Sequence, residues 1–129
     1  MHTTGIFSKF KMASDEYREI EAELEKYKNQ ISMIILQPTM IFGDLCDHNV
    51  RKFIKMVDKF PVMPVIGKGE NLIQPVNARD LAQAYYSILT SEVSDGHYVL
   101  SGEKPITMND FYAKIAEHLE KPYIAYTYR

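Results

Sequence analysis

The chain has a single cysteine, Cys46, in 129 residues, so no internal disulfide can form. A reducing, cytoplasmic setting fits that count. There is no excess of positive charge: Lys plus Arg number 15 and Asp plus Glu 17, a formal net charge of −2. Such a balance gives no electrostatic grip on nucleic acid or on an anionic membrane. No apolar run approaches the ~20 residues of a membrane span. The opening Met1-His2-Thr3-Thr4-Gly5 lacks the basic and apolar regions of a secretory signal. Glycine is scarce, and no Gly-x-Gly-x-x-Gly or Gly-x-x-Gly-x-x-Gly occurs. The close pair Gly67 and Gly69 is followed by Glu70, with no helix start to receive a phosphate. Repeats and low-complexity tracts are also absent. The length still suffices for one domain with a real core.

What is present centres on residues 31–43, Ile-Ser-Met-Ile-Ile-Leu-Gln-Pro-Thr-Met-Ile-Phe-Gly. Ile31 to Leu36 is uncharged and mostly apolar, the pattern of a strand covered on both faces in a parallel sheet. Pro38 cannot donate a ladder hydrogen bond, so the strand is expected to end there. Gly43 closes the stretch where backbone freedom is needed. Functional groups in open α/β sheets gather at the carboxyl ends of such strands, which makes Gln37 to Gly43 the first place to look for a ligand.

Upstream, Ser14 is a suitable N-cap, and Tyr17, Ile20, Leu24 and Tyr27 recur at helical spacing, predicting an amphipathic helix over 15–29. Downstream, Asn49 is positioned to cap a helix over 50–59. Pro61 and Pro64 then force an extended path. Val65-Ile66 and Ile73 to Val76 read as short extended pieces, separated by a turn at Gly67 to Asn71. A helix over 78–91 follows, capped by Asn77, with Leu81, Ala84, Tyr85, Ile88 and Leu89 inward. His97 to Leu100 is a strand. Thr107 and Asp110 form a capping pair for a helix with Phe111, Ile115 and Leu119 as its core stripe. Ile124, Tyr126 and Tyr128 alternate as a last strand, and the aromatic content of that tail argues against disorder. Strands alternating with helices imply an α/β fold, yet too few strands are present to complete a sheet.

In this order and spacing the residues resemble the carboxyl-terminal half of an extended or atypical short-chain dehydrogenase/reductase, of the NAD-dependent epimerase/dehydratase group. Met33 to Gly43 is similar to the family's strand ending in Arg-Pro and leading to Tyr-Gly or Phe-Gly. Gly67-Lys68-Gly69 resembles its Gly-Asp-Gly turn. Val76-Asn77-Ala78-Arg79-Asp80-Leu81-Ala82-Gln83-Ala84 resembles its Val-His-Val-Asp-Asp-Leu-Ala-x-Ala segment. Tyr98 to Gly102, with Pro105-Ile106-Thr107, resembles its later strand and helix start. The resemblance implies the C-terminal part of a Rossmann-type fold whose N-terminal dinucleotide-binding half is missing. Residues 1–129 would be a single partial domain. In it, 1–45 is the last part of the Rossmann-like region, with the catalytic helix and the following strand, and 46–129 is a small substrate-binding region.

The resemblance also implies site residues. The family's catalytic pair is Tyr-x-x-x-Lys on a helix, with a Ser or Thr at the preceding strand end. Tyr17 falls at the tyrosine position and Thr3 and Thr4 near the Ser/Thr position, but Glu21 occupies the lysine position. A carboxylate there opposes phenolate formation, where an ammonium favours it. Gln37 stands where the family has Arg, and Gln37, Pro38, Thr39, Met40 and Ile41 would lie by the cofactor. Asn49 and Gln74 would face the substrate. The implied parent is an NAD(P)-dependent epimerase/dehydratase-like oxidoreductase acting by hydride transfer on a nucleotide sugar or similar small hydroxyl substrate. NAD or NADP would be bound in the full-length parent and not by this piece alone. The alternatives are a non-catalytic dinucleotide-binding sensor or scaffold, and an inactive fragment. A half-domain also exposes the apolar face meant for missing strands, so self-association is expected. Asp44, Cys46, Asp47 and His48 have the composition of metal ligands without a recognised spacing, and no metal site is expected. Cys46 has no identifiable base partner to make it a nucleophile.

Overall fold

A computed structural model describes residues 11–43, 46–60 and 62–128. Thr3, Thr4 and Asp44 lie outside the described residues. The chain folds into two compact units, each discontinuous in sequence: Met1–Thr39 with Arg79–Ser101, and Met40–Ala78 with Gly102–Arg129. Residues 79–101 thus return to the first unit. The reason is strand pairing, because a strand made late in the chain completes a ladder begun early.

The first unit holds α1 (Lys11–Glu25), β1 (Ile34–Pro38), α3 (Ala78–Thr90) and β6 (Gly96–Leu100). α1 begins before Ser14, because Lys11, Met12 and Ala13 are all compatible with a helix and extend it backwards. It stops at Glu25 instead of Asn29. The next turn tightens to bonds three residues apart, Lys26 N–H to Glu23 and Tyr27 N–H to Leu24. β1 pairs in parallel with β6, Ile34 opposite Gly96 and Pro38 opposite Leu100. The strand starts three residues later than Ile31 and includes Pro38. The Thr39 N–H donates to the Leu100 carbonyl at 2.9 Å. Alternate residues of a strand present their amides to opposite edges, so the N–H that Pro38 lacks belongs to the edge away from β6. Ile35, Leu36, Gln37 and Pro38 are all buried, the doubly covered character expected of this run. On α3, Leu81 is buried, but Leu89 is 83% exposed and is not the inward residue its spacing suggested. Ile88 and Tyr85, also expected inward, are partly buried.

The second unit holds β2 (Ile41–Phe42), α2 (Val50–Lys59), β3 (Val62–Ile66), β4 (Leu72–Ile73), β5 (Val76–Asn77), β7 (Ile106–Thr107), α4 (Met108–His118) and β8 (Ile124–Tyr128). Its ladders are β2 with β5 and β3 with β8, both parallel, and β4 with β7, antiparallel. β3 alternates strictly, with Met63 and Val65 buried and Val62, Pro64 and Ile66 out, so Pro64 is accommodated on the open side. Met63 and Val65 meet Val57 of α2 and Tyr112 and Ala116 of α4 to form the core, with Phe53, Met108, Ile115, Leu119 and Tyr123 around it. Aromatic edges lock it: the Phe53 ring lies 5.5 Å from that of Phe111 and 5.8 Å from that of Tyr112.

Two caps were expected in this unit, and they differ in outcome. Thr107 caps α4, its hydroxyl accepting from the Asp110 N–H at 3.1 Å and donating to the Asp110 carboxylate at 2.7 Å. The shorter aspartate meets the hydroxyl instead of reaching back to the Thr107 amide. Thr107→Ala is expected to lower stability by about 1 kcal/mol, read from the urea midpoint. Asn49, by contrast, makes no side-chain cap on α2. Its amide nitrogen donates to the Ile41 carbonyl at 3.1 Å, while the Asp47 carboxylate accepts from the Asn49 and Arg51 N–H groups at 2.7 and 3.3 Å. Asp47 thus serves the helix start and Asn49 ties it to β2.

Candidate active site

Tyr17 and Glu21 lie one helical turn apart on α1, and both are partly buried while Arg18, Glu19 and Ile20 between them are exposed. Glu21 faces the strand that carries Gln37. The Gln37 amide nitrogen donates to a Glu21 carboxylate oxygen at 3.1 Å. Gln37 is only 3% exposed, so its amide must be satisfied inside the unit, and the carboxylate does this. Glu21 and Gln37, which the resemblance sets at the family's Lys and Arg positions, are therefore partners. Their 16-residue separation across a helix and a strand follows no motif, which is why sequence reading did not link them. Two residues on, Thr39 is held to the same neighbouring strand twice, its N–H at 2.9 Å and its hydroxyl at 3.4 Å from the Leu100 carbonyl.

Met40, Ile41, Asn49 and Gln74 lie in the second unit. The Met40 carbonyl accepts from the Val76 N–H at 2.9 Å, and the Ile41 carbonyl accepts from Asn49. The Gln74 side chain donates to the Gly102 carbonyl at 2.5 Å. Asn49 and Gln74 thus both brace the backbone of their own unit. Pro38 is fully buried. Three other tyrosines have raised pKa values. Burial pushes the phenols of Tyr85 and Tyr112 up, and burial, then Tyr112 and Asp110, pushes Tyr123 up. Among the described residues no cluster of His, Cys, Asp and Glu is arranged to hold a metal ion.

The described starts of α2 and α4 do not offer a dinucleotide the group it needs. Its pyrophosphate needs free amides at a helix start. The Met108 and Asn109 N–H groups of α4 donate to the Asn71 and Gly69 carbonyls, and the next N–H is capped by Thr107. Asp47 places a carboxylate at the start of α2. The Gly67-Lys68-Gly69 turn is closed on α4, because Asn109 donates to the Lys68 carbonyl at 2.8 Å and packs where a Gly69 Cβ would be.

The fold has clear counterparts among solved structures. A UDP-N-acetylglucosamine 4-epimerase from Methanobrevibacter ruminantium, in complex with UDP-N-acetylmuramic acid, superposes with a TM-score of 0.77 at 15% identity over 99% of this chain and 48% of its own. A UDP-glucuronic acid 4-epimerase from Bacillus cereus in complex with NAD gives 0.78 at 11% identity, covering 98% and 47%. An ADP-L-glycero-D-manno-heptose-6-epimerase from Helicobacter pylori gives 0.76 at 15% identity, covering 98% and 46%. The fold is that of part of these epimerases. The resemblance drawn from the sequence is thus found again in the architecture, and the chain spans about half the length of the structures it matches. No protein-family model and no curated protein matches the sequence. Among the described residues no helix is long and apolar enough to cross a membrane.

Proposed function

We propose that this chain is the substrate-side, carboxyl-terminal portion of a Rossmann-type epimerase or dehydratase acting on a nucleotide sugar or a similar hydroxyl-bearing substrate in the cytoplasm. The observation that carries this reading is the likeness of fold, over 98–99% of the chain, to two nucleotide-sugar 4-epimerases. Tyr17 is the acid/base candidate, with Thr3 or Thr4 assisting. The cofactor, NAD or NADP, is held by residues other than the helix starts described above. The chain alone is therefore expected to bind NADH and NADPH no more tightly than about 1 mM in calorimetry. Micromolar binding would sink the assignment of the cofactor cradle to another segment.

A second reading, a non-catalytic member that senses or scaffolds, is favoured by one specific observation. The carboxylate in the lysine position is held in place by a buried amide donor, a built arrangement and not a loose replacement. Immunoblotting of the native product sets the frame for the choice: a band at roughly twice 15 kDa or more is expected for a complete domain of this kind. On that product, Glu21→Lys discriminates. A gain of turnover supports the sensor, whereas an already substantial rate in the unaltered protein removes it.

A further inference from the structure

We propose that the second unit carries a separate binding site for a small apolar carboxylate, in the cavity between α4 and the start of α2. The cavity measures about 450 Å³ and is walled by Phe42, Val50, Pro75, Ile106 and Phe111, with Lys104 and Lys114 also among its lining residues. Its size lies in the range of small-ligand sites, and its make-up, apolar walls with a few convergent polar groups, is theirs too. No carboxylate lines it. Lys104 has only a 3.9 Å contact with Glu103, both side chains being at least 81% exposed. Lys114 has no ion-pair partner among the described residues, and it also borders the adjoining apolar groove of Ile54, Ile115 and Leu119. Two lysines among the lining residues of an otherwise apolar cavity complement a ligand with an anionic head and an apolar body.

Phe111 is buried and held edge-on by Phe53, and Val50 is fixed in the first turn of α2. Lys104 and Lys114 are exposed, so their head groups are free to move onto a carboxylate without unpacking the core. The nucleotide-sugar reading plays no part in this inference, because none of Tyr17, Glu21 and Gln37 borders the cavity.

The test is an amide NMR titration of the chain with octanoate, with octyltrimethylammonium as the control of opposite charge. Octanoate is expected to give saturable amide shifts at Lys104, Ile106 and residues 111–114, and the cation none there. Lys114→Glu is expected to weaken octanoate at least about tenfold with the rest of the spectrum unchanged. The proposal is overturned by absent or non-saturating shifts, by equal shifts with the cation, or by unchanged affinity in the Lys104→Glu/Lys114→Glu double variant. Displacement of octanoate by UDP-N-acetylglucosamine would assign the cavity to the nucleotide-sugar site and overturn it as a separate one.

Discussion

Replacing Gly102 by alanine is expected to destabilise the protein by about 3 kcal/mol or more. A Cβ at this position would sit 2.1 Å from the Pro75 carbonyl oxygen. That atom is backbone, fixed between β4 and β5, so no side-chain rotation relieves the clash. The same approach lets Gln74 donate to the Gly102 carbonyl, and pushing the two segments apart breaks that bond as well. Gly67→Ala supplies the contrast. Gly67 has a φ of +62° but nothing within 4 Å of its would-be Cβ. Its substitution should cost only the left-handed backbone term, roughly 1–2 kcal/mol. Urea midpoints measured side by side test the ranking. Equal losses at the two positions would mean that the 75–102 contact is not formed in solution.

Gln37→Glu is expected to cost about 3 kcal/mol at pH 7 and little near pH 4. The substitution keeps the size of the side chain but turns the donor at the Glu21 carboxylate into a second acceptor, in a position only 3% exposed. Burial and the facing carboxylate both disfavour ionisation of the new carboxyl, so its folded-state pKa rises above the unfolded value of about 4.3. A group raised on folding contributes stability below its unfolded pKa and loses it as pH rises through the folded one. The deficit relative to the unaltered protein should therefore open as pH rises from 4 to 7. Gln37→Met, which removes the donor without adding a charge, should show a smaller and flatter loss of about 1–3 kcal/mol. Urea midpoints at the two pH values decide. A Gln37→Glu deficit independent of pH would show that residue 37 does not face Glu21.

Most of the architecture was legible because it is written locally. The apolar run before Pro38, the alternation over 124–128 and the Thr107–Asp110 spacing each fix an element through neighbours in sequence. The failures arise where distant residues decide. Pro38 extends β1 because β6, far along the chain, leaves its missing N–H on the other edge. Asn49 looks like a cap until Asp47 takes that role and Ile41 offers a carbonyl. Leu89 sits at inward spacing with Tyr85 and Ile88, but it is exposed while they are partly buried. The candidate site was legible residue by residue, through the family resemblance, and illegible as an arrangement. No periodicity announces that Glu21 and Gln37 are partners, or that Gly102 must be small because Pro75 passes beside it.

The interleaved layout of the two units sets a timetable for synthesis. Thr39 leaves the ribosome 61 residues before Leu100, the residue to which it hydrogen-bonds. At about 5–20 residues per second the nascent β1 waits roughly 3–12 s for its ladder partner. During that interval the edge of β1 that meets β6 is unsatisfied along the apolar Ile34, Ile35 and Leu36, a template for pairing with other chains. Slower translation of codons 40–95 should lengthen this wait and lower soluble yield, whereas synonymous changes after residue 100 should leave it unaltered.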